Sequence, residues 1–157
     1  MLERYVYKNQ QKMRCGYTTG TCACAAAKAA AQMLLSGRKT DKVKVMTPSG
    51  VSLLLDVEDI SMKDTQVSCA IRKDSGDDPD VTNGIYVYAK VSYAEVSYVE
   101  AYYDKGQNEQ KNDKRIIVDG GKGVGRITKK GLSRPVGAAA INPVPLKMIE
   151  AGVMEAA

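Results

Sequence analysis

The order of hydrophobic and polar positions along the chain predicts one helix and then a series of strands. Residues 21–36 combine an alanine-rich run with polar side chains at Lys28, Gln32 and Ser36, and this spacing predicts a helix that Gly37 ends. The polar residues should mark its exposed face. The opposite side should enter the core, and its members are Ala23, Ala26, Ala30, Met33 and Leu34.

Alternating hydrophobic residues follow this helix. Residues 41–58 contain two such runs around Pro48, Ser49 and Gly50, which is typical of a hairpin. One helix followed by strands indicates an α+β fold, with the N-terminal helix packed on a mainly antiparallel sheet. The other segments with strand character are 1–14 (a short strand or an arm), 67–71, 85–93, 96–103 and 115–121.

The C-terminal part of the sequence predicts a loop and a second helix. Residues 104–113 have no hydrophobic side chain to anchor them and should form a loop. A helix should start near Pro143 or Pro145, because proline is tolerated in a first helical turn. Since the sequence stops inside this predicted helix, we expect residues 1–157 to form a single domain, the N-terminal fragment of a longer two-domain enzyme.

Composition limits the function further. The chain has 157 residues, of which 44% are hydrophobic and 26% are charged, as in a globular protein with a core. No hydrophobic run reaches the ~18 residues that span a membrane, and the N-terminus does not read as a secretion signal, so we expect a cytoplasmic protein. The net charge of +5 suits an acidic partner. Because the basic residues are scattered, no nucleic-acid partner is predicted.

The cysteines and the lack of histidine narrow the possible chemistry. Cys22 and Cys24 are two residues apart on the predicted helix, so a rotation of ~100° per residue points them in nearly opposite directions and they cannot share a metal. We expect all four cysteines to be free thiols and no metal to be bound by the protein. A chain without histidine has no histidine base.

A first candidate segment, GYTTGT, lies directly before the helix. Thr18 or Thr19 can cap the helix, and the free amides at a helix start bind anions. A capped helix without any ligand is the plain structural alternative. The candidate binding residues here are Thr18, Thr19, Gly20 and Thr21.

A second candidate segment, DSGDDPDVTNG (residues 74–84), gathers four acids within seven residues, and these repel one another at neutral pH. An Asx-rich turn is the structural alternative, and the spacing does not match an EF-hand calcium loop. If the turn is functional, changing Asp78 or Asp80 to asparagine should lower ligand affinity more than stability. The candidate residues are Asp77, Asp78, Asp80, Thr82 and Asn83.

A third candidate segment, DGGKGVGRITKKGLSRPVG (residues 119–137), places four glycines within six residues beside several basic side chains. Backbone amides in such a segment can approach a ligand closely. The pattern is neither a dinucleotide fingerprint nor a Walker A loop. The candidate residues are Gly121, Gly123, Gly125, Arg126 and Thr128, and Asn142 follows in AAINPVPLKMI.

Four segments, GYTTGTCA, GDDPDVTNG, GGKGVGRITKKGL and AAINPVPLKMI, occur in this order. With them the chain resembles, over residues 14–148, the CbiD family, the cobalt-precorrin-5B C-1 methyltransferases of anaerobic cobalamin synthesis. One departure is Asn83, where the family pattern leads us to expect histidine.

The resemblance implies methyl transfer from S-adenosylmethionine to carbon 1 of an acidic corrinoid whose cobalt belongs to the substrate. It further implies that the candidate residues bind the donor or the corrinoid, and that the three candidate segments converge on one site. No catalytic residue is identified. Because two bulky partners must be held in line, we expect the 157-residue chain to be inactive in methyl transfer by itself.

Two other functions fit the residues without the resemblance. One is a phosphate- or nucleotide-binding α+β domain with no methyltransferase activity. The other is an RNA-binding module that uses the basic third segment. Binding of S-adenosylmethionine or a corrinoid, against binding of ATP or salt-sensitive binding of RNA, distinguishes these possibilities.

Overall fold

The structure is a computed structural model that describes residues 3–94, 116–131 and 133–157. Within these ranges the chain forms two helices and seven strands, which confirms the α+β class. In chain order they are β1 (Tyr5–Lys8), β2 (Gln11–Arg14), α1 (Thr19–Ser36), β3 (Lys42–Met46), β4 (Ser52–Asp56), β5 (Glu58–Lys63), β6 (Gln66–Arg72), β7 (Tyr86–Ser92) and α2 (Pro143–Ala156).

The strands form three antiparallel groups: β1–β2, β3–β4 and β5–β6–β7. The N-terminal segment, expected as one strand or an arm, is therefore a hairpin. Asn9 and Gln10 connect its strands with φ angles of 50° and 63°, and two consecutive positive φ angles characterise a type I′ turn. Asn at the first of these positions was the local signal for this turn.

The predicted hairpin around Pro48, Ser49 and Gly50 is confirmed as β3–β4. Its register pairs Val43 with Leu55 and Val45 with Leu53, so all four side chains lie on the inner face and are buried. The alternation over residues 67–71 is also confirmed in β6, where Val67, Cys69 and Ile71 are buried.

Some predicted elements differ from the structure. Strand β5 was not predicted, because charged residues surround its few apolar side chains; its pairing with β6 also shifts register between Glu58 and Ser61. The predicted strand over 115–121 is wrong for its described part, since residues 116–121 contain no strand. The strand and loop predicted over 96–113 lie outside the described residues.

Helix α1 ends where predicted, but its start and part of its exposed face differ from the prediction. It begins at Thr19 and not at Thr21, with Thr18 as its N-cap, and Gly37 ends it in the left-handed conformation with a φ of 65°. Ten of its 18 residues are buried, and Lys28 and Gln32 are only partly exposed, with 12% of the Lys28 side chain accessible. The reason is that α1 packs against β3, β6 and β7 on one side and against α2 on the other.

Small residues allow the two helices to approach closely. A Cβ atom on Gly20 would lie 2.9 Å from Cγ of Pro145, and one on Gly152 would lie 3.0 Å from Sγ of Cys24. The Cys24 thiol also donates a hydrogen bond of 3.0 Å to the carbonyl of Met148. These contacts place the start of α2 directly beside the start of α1.

Candidate functional site

The start of α1 has a capped but incompletely satisfied backbone. The Thr18 hydroxyl accepts a hydrogen bond of 3.1 Å from the Thr21 amide, and Cys22 donates to the Thr18 carbonyl. Among the described residues, no acceptor meets the amides of Thr19 and Gly20, and the first turn holds no acidic side chain. The positive end of this helix is therefore available to an anion.

The acidic segment, residues 74–84, crosses directly over the chain that leads into α1. Tyr17 donates a backbone hydrogen bond of 2.8 Å to Asp74, and Cys15 forms an isolated bridge with Gly76. A Cβ on Gly16 would lie 2.2 Å from the Ser75 carbonyl carbon. This crossing therefore requires the first and second candidate segments to lie side by side.

Arg14 compensates part of the negative charge of this segment. Its guanidinium donates to both oxygens of Asp74, at 2.6 and 2.8 Å, and its backbone amide donates to the Asp77 carboxylate at 2.6 Å. The hydrogen bond from Arg14 lowers the pKa of Asp74. Two of the four acids thus anchor the hairpin β1–β2.

A third acid is held by a buried lysine. Lys73 is 6% exposed, and its Nζ donates to the Asp80 carboxylate at 2.5 Å and also to the Thr82 hydroxyl. The hydrogen bond from Lys73, followed by that from the Thr82 amide, lowers the pKa of Asp80 to about 2. Asn83 accepts a hydrogen bond of 3.0 Å from the Ser75 amide and so fixes the turn from its other end.

Asp78 differs from its three acidic neighbours. Its side chain is exposed, and among the described residues it makes no hydrogen bond or ion pair. Its backbone amide donates to the Ser75 carbonyl at 3.3 Å, which keeps it within one turn of that serine. One uncommitted carboxylate therefore remains in the segment.

These elements enclose an open cleft of about 1010 Å³. Its walls come from the start of α1, the acidic segment, the start of α2, the hairpin β1–β2 and the turn between β3 and β4. Seven of the candidate residues line it: Thr18, Thr19, Gly20, Thr21, Asp78, Asp80 and Asn142.

The described residues of the glycine-rich third segment do not line this cleft. Arg126 forms an ion pair with Asp119 and an isolated bridge with Ala139, and the Gly125 carbonyl accepts a hydrogen bond from Ala140. The segment therefore folds against the residues that lead to Asn142. The candidates outside the lining are Asp77, Thr82, Asn83, Gly121, Gly123, Gly125, Arg126 and Thr128. Of the three segments expected to converge, the structure brings the first and second together in this cleft, with Asn142 beside them.

Lys73 and Ser75 are two of the cleft residues that were not predicted from the sequence. Ser75 is 7% exposed, and its hydroxyl oxygen has no hydrogen-bond partner among the described residues. Lys73 directly continues the buried alternation of β6 into the acidic segment, a position that could have identified it as the counter-charge.

The four cysteines are free, and three of them are buried. Burial raises the pKa of Cys22 to about 12 and that of Cys69 to about 11. Burial also raises the pKa of Cys24. Within the described ranges, no group of three potential metal-binding side chains occurs, and neither described helix is long and hydrophobic enough to cross a membrane.

Comparison with known proteins identifies one family. The family model CbiD matches residues 6–157. A cobalt-precorrin-5B C(1)-methyltransferase from Alkaliphilus metalliredigens is 49% identical over 154 residues, which cover 98% of this chain and 36% of the relative. The enzyme of the same name from Treponema denticola is 49% identical over 159 residues, covering 98% of this chain and 39% of the relative.

A solved structure agrees with these matches. The 1.9 Å crystal structure of a cobalamin biosynthesis protein (cbiD) from Archaeoglobus fulgidus superposes with a TM-score of 0.59 at 29% identity. The match covers 97% of this chain and 42% of that one. The chain thus spans well under half the length of the relatives that it matches.

Proposed function

Because the chain belongs to the CbiD family, we propose that it takes part in methyl transfer from S-adenosylmethionine to carbon 1 of cobalt-precorrin-5B, a step in building the cobalamin ring in the cytoplasm. The observation that carries this proposal is the shared cleft: three segments on which the family resemblance rests, GYTTGT, GDDPD and INPVP, border the same cavity. The rival interpretations as a nucleotide-binding or RNA-binding domain gain no support from the comparisons.

The reaction needs placement more than acid–base chemistry. Carbon 1 of the electron-rich macrocycle forms a new C–C bond to the methyl group while the C–S bond breaks. The electron pair of the broken bond stays on sulfur, so the donor leaves as a neutral thioether and the positive charge passes to the macrocycle. Alignment of two bound reactants accounts for large rate increases without a catalytic base, which suits a chain that contains no histidine.

The cleft has a lining that suits such reactants and a volume typical of a ligand site. Its volume of about 1010 Å³ lies at the upper end of the ~300–1,000 Å³ typical of small-molecule sites. Tyr17, Val144 and Met148 provide apolar surface for flat rings. Arg4 and Lys8, exposed on the hairpin β1–β2, are suitable partners for the acetate and propionate arms of the macrocycle.

The glycine-rich segment and the remaining length of the relatives belong to the proposal as well. Gly121 and Gly123 have open space where a Cβ atom would be, so a ligand or another part of the protein could approach their backbone. We still predict that the chain is one part of a longer two-domain enzyme. We also predict that both parts are needed for turnover.

Calorimetric titration tests the proposal. We expect the chain to bind S-adenosylhomocysteine, the donor product, and also a cobalt corrinoid that carries free acetate and propionate arms. ATP and a short RNA serve as comparison ligands, each at two salt concentrations. Tight ATP binding, or RNA binding that weakens steeply with salt, without donor or corrinoid binding, would refute the proposal.

A further inference from the structure

We propose that the start of α1, together with Ser75 and Asp78, binds the amino-acid end of the methyl donor. The α-carboxylate would accept hydrogen bonds from the amides of Thr19 and Gly20 and from the Ser75 hydroxyl, and the α-ammonium group would pair with Asp78. The inference rests on the proposed function for the identity of the donor. In addition, it assigns the donor and the macrocycle to different walls of the cleft.

The carboxylate half of this site is the positive end of α1. The amides of Thr19 and Gly20 find no acceptor among the described residues, and no acidic side chain in the first turn competes for them. Amide donors combined with the helix dipole favour a bound anion. Thr18 and Thr21 satisfy each other, with their hydroxyl oxygens 3.1 Å apart, and so hold this helix start in shape.

Ser75 supplies an independent observation at the same wall. Its hydroxyl is more than nine-tenths buried and has no hydrogen-bond partner in the described parts of the chain, although the residue lines the cleft. Buried hydroxyl groups are nearly always paired, because leaving one unpaired costs stability. A ligand oxygen that reached this hydroxyl would supply the missing partner. Asn83 holds the Ser75 amide, which fixes the serine backbone in place.

The proposed partner of the ammonium group is identified by comparing the contacts of the four acids in the acidic segment. Asp74 pairs with the Arg14 guanidinium and Asp80 with Lys73, and the Asp77 carboxylate accepts a hydrogen bond from the Arg14 backbone amide, so each of these three already has a partner. Of the acids in this segment, Asp78 is the one whose carboxylate has no partner among the described residues, and it lines the cleft one turn from Ser75.

This combination discriminates between the two reactants. A macrocycle with many carboxylates would meet repulsion at Asp78, because like charges close together raise the free energy of binding. A zwitterionic amino acid places its negative group at the helix start and its positive group at Asp78. The geometry therefore favours the donor at this wall and leaves the hairpin β1–β2, with Arg4 and Lys8, to the macrocycle.

Calorimetry with two matched ligands tests the assignment. S-adenosylhomocysteine carries the amino-acid group, whereas 5′-methylthioadenosine has the same nucleoside and thioether but lacks it. We expect the chain to bind the former at least about tenfold more tightly. Asp78→Asn and Ser75→Ala should each reduce S-adenosylhomocysteine affinity by about tenfold and leave 5′-methylthioadenosine affinity unchanged.

Controls separate binding from folding. Asp64→Asn removes an exposed acid from the turn between β5 and β6 and should change neither affinity. Ser75→Ala should keep or raise the melting temperature, since it deletes an unpaired hydroxyl, so a loss of affinity in a stable variant points to the ligand and not to the fold. Asp78 is exposed, and its asparagine variant provides a second test if Ser75→Ala fails to fold.

Four results would overturn the inference. Equal affinities for the two ligands would show that the amino-acid group is not recognised here. Corrinoid affinity that falls in Asp78→Asn or Ser75→Ala, with S-adenosylhomocysteine affinity unchanged, would assign this wall to the macrocycle. A chain that binds corrinoid but no donor would contradict the inference and leave the proposed function standing, whereas binding of neither reactant would contradict both.

Discussion

The guanidinium of Arg14 donates two hydrogen bonds, of 2.6 and 2.8 Å, to the carboxylate of Asp74, which lies 60 residues further along the sequence. Both side chains are largely shielded, with 19% and 23% of their surfaces exposed. Paired hydrogen bonds between arginine and a carboxylate are among the stronger polar contacts in proteins. This pair joins the end of β2 to the acidic segment and so to one wall of the cleft.

We expect Asp74→Asn to lower the melting temperature of the chain by several degrees. The amide cannot accept both hydrogen bonds from Arg14, and the guanidinium loses its counter-charge. Thermal unfolding followed by circular dichroism measures the effect. Asp64→Asn, an exposed acid elsewhere, should leave the melting temperature unchanged; equal behaviour of the two variants would contradict the anchoring role of Asp74.

The backbone crossing at Gly16 should not tolerate a side chain. A Cβ atom there would lie 2.2 Å from a backbone carbon of Ser75, so Gly16→Ala must push two chain segments apart. We expect a loss of at least about 2 kcal/mol in the free energy of unfolding, which corresponds to about 4–8 °C in melting temperature. Gly121→Ala is the matched control, because a Cβ atom there meets nothing within 4 Å. A stable Gly16→Ala variant would show that the crossing is looser than described.

Asp80 should make part of the stability depend on acid pH. Its pKa of about 2 in the folded chain lies below its ordinary value of 3.8, chiefly because Lys73 donates a hydrogen bond to it. A lowered pKa means that the stabilisation is fully present above about pH 4 and is lost as the pH falls towards 2. In Asp80→Asn, the free energy of unfolding measured in urea should change less between pH 4 and pH 2.5 than in the parent chain. Parallel curves for the two proteins would exclude this contribution.

The thiols should react in a defined order. At pH 8 a thiol with a pKa of about 12 is ionised to only about 10⁻⁴, so Cys22 should resist iodoacetamide, and buried Cys24 and Cys69 should resist it as well. Cys15 is half-exposed at the cleft and should be modified first. Mass spectrometry of briefly treated native chain should therefore find one label, and urea-unfolded chain should carry four. Early labelling of Cys22 would contradict its burial.

The sequence predicted those parts of the fold that depend on local patterns. The cap at Thr18 or Thr19, the left-handed end at Gly37 and the hairpin around Pro48 each follow from a few neighbouring residues, and the structure has the cap at Thr18 and confirms the other two. The exposed face of α1 was predicted from Lys28, Gln32 and Ser36. Ser36 is exposed, but Lys28 is largely covered because α2 packs against it and Glu155 forms an ion pair with it. The spacing of polar residues within α1 does not reveal which distant segment packs against the helix.

In the candidate site, too, local sequence features were predicted but contacts between distant segments were not. That the acidic segment needs compensation was evident from its composition, but its partners, Arg14 and Lys73, could be found only from the chain path. For the same reason the sequence treated Asp78 and Asp80 alike. In the structure Asp80 is tied to Lys73, whereas Asp78 faces the cleft, so we now expect Asp80→Asn to affect stability first and Asp78→Asn to affect binding first.

The bridge between Cys15 and Gly76 joins two segments that are synthesised about 60 residues apart, so it can form only well after α1 has been made. Helix α1 is complete once residue 37 has left the ribosome, yet the wall that crosses its start is made some 40 residues later, and α2 arrives only after residue 143. At about 5–20 residues per second, the small-residue surface of α1 stays without its second partner for several seconds. During that interval the apolar side of α1 that α2 later covers is open to chaperones, and slowing translation before Pro143 would lengthen the exposure.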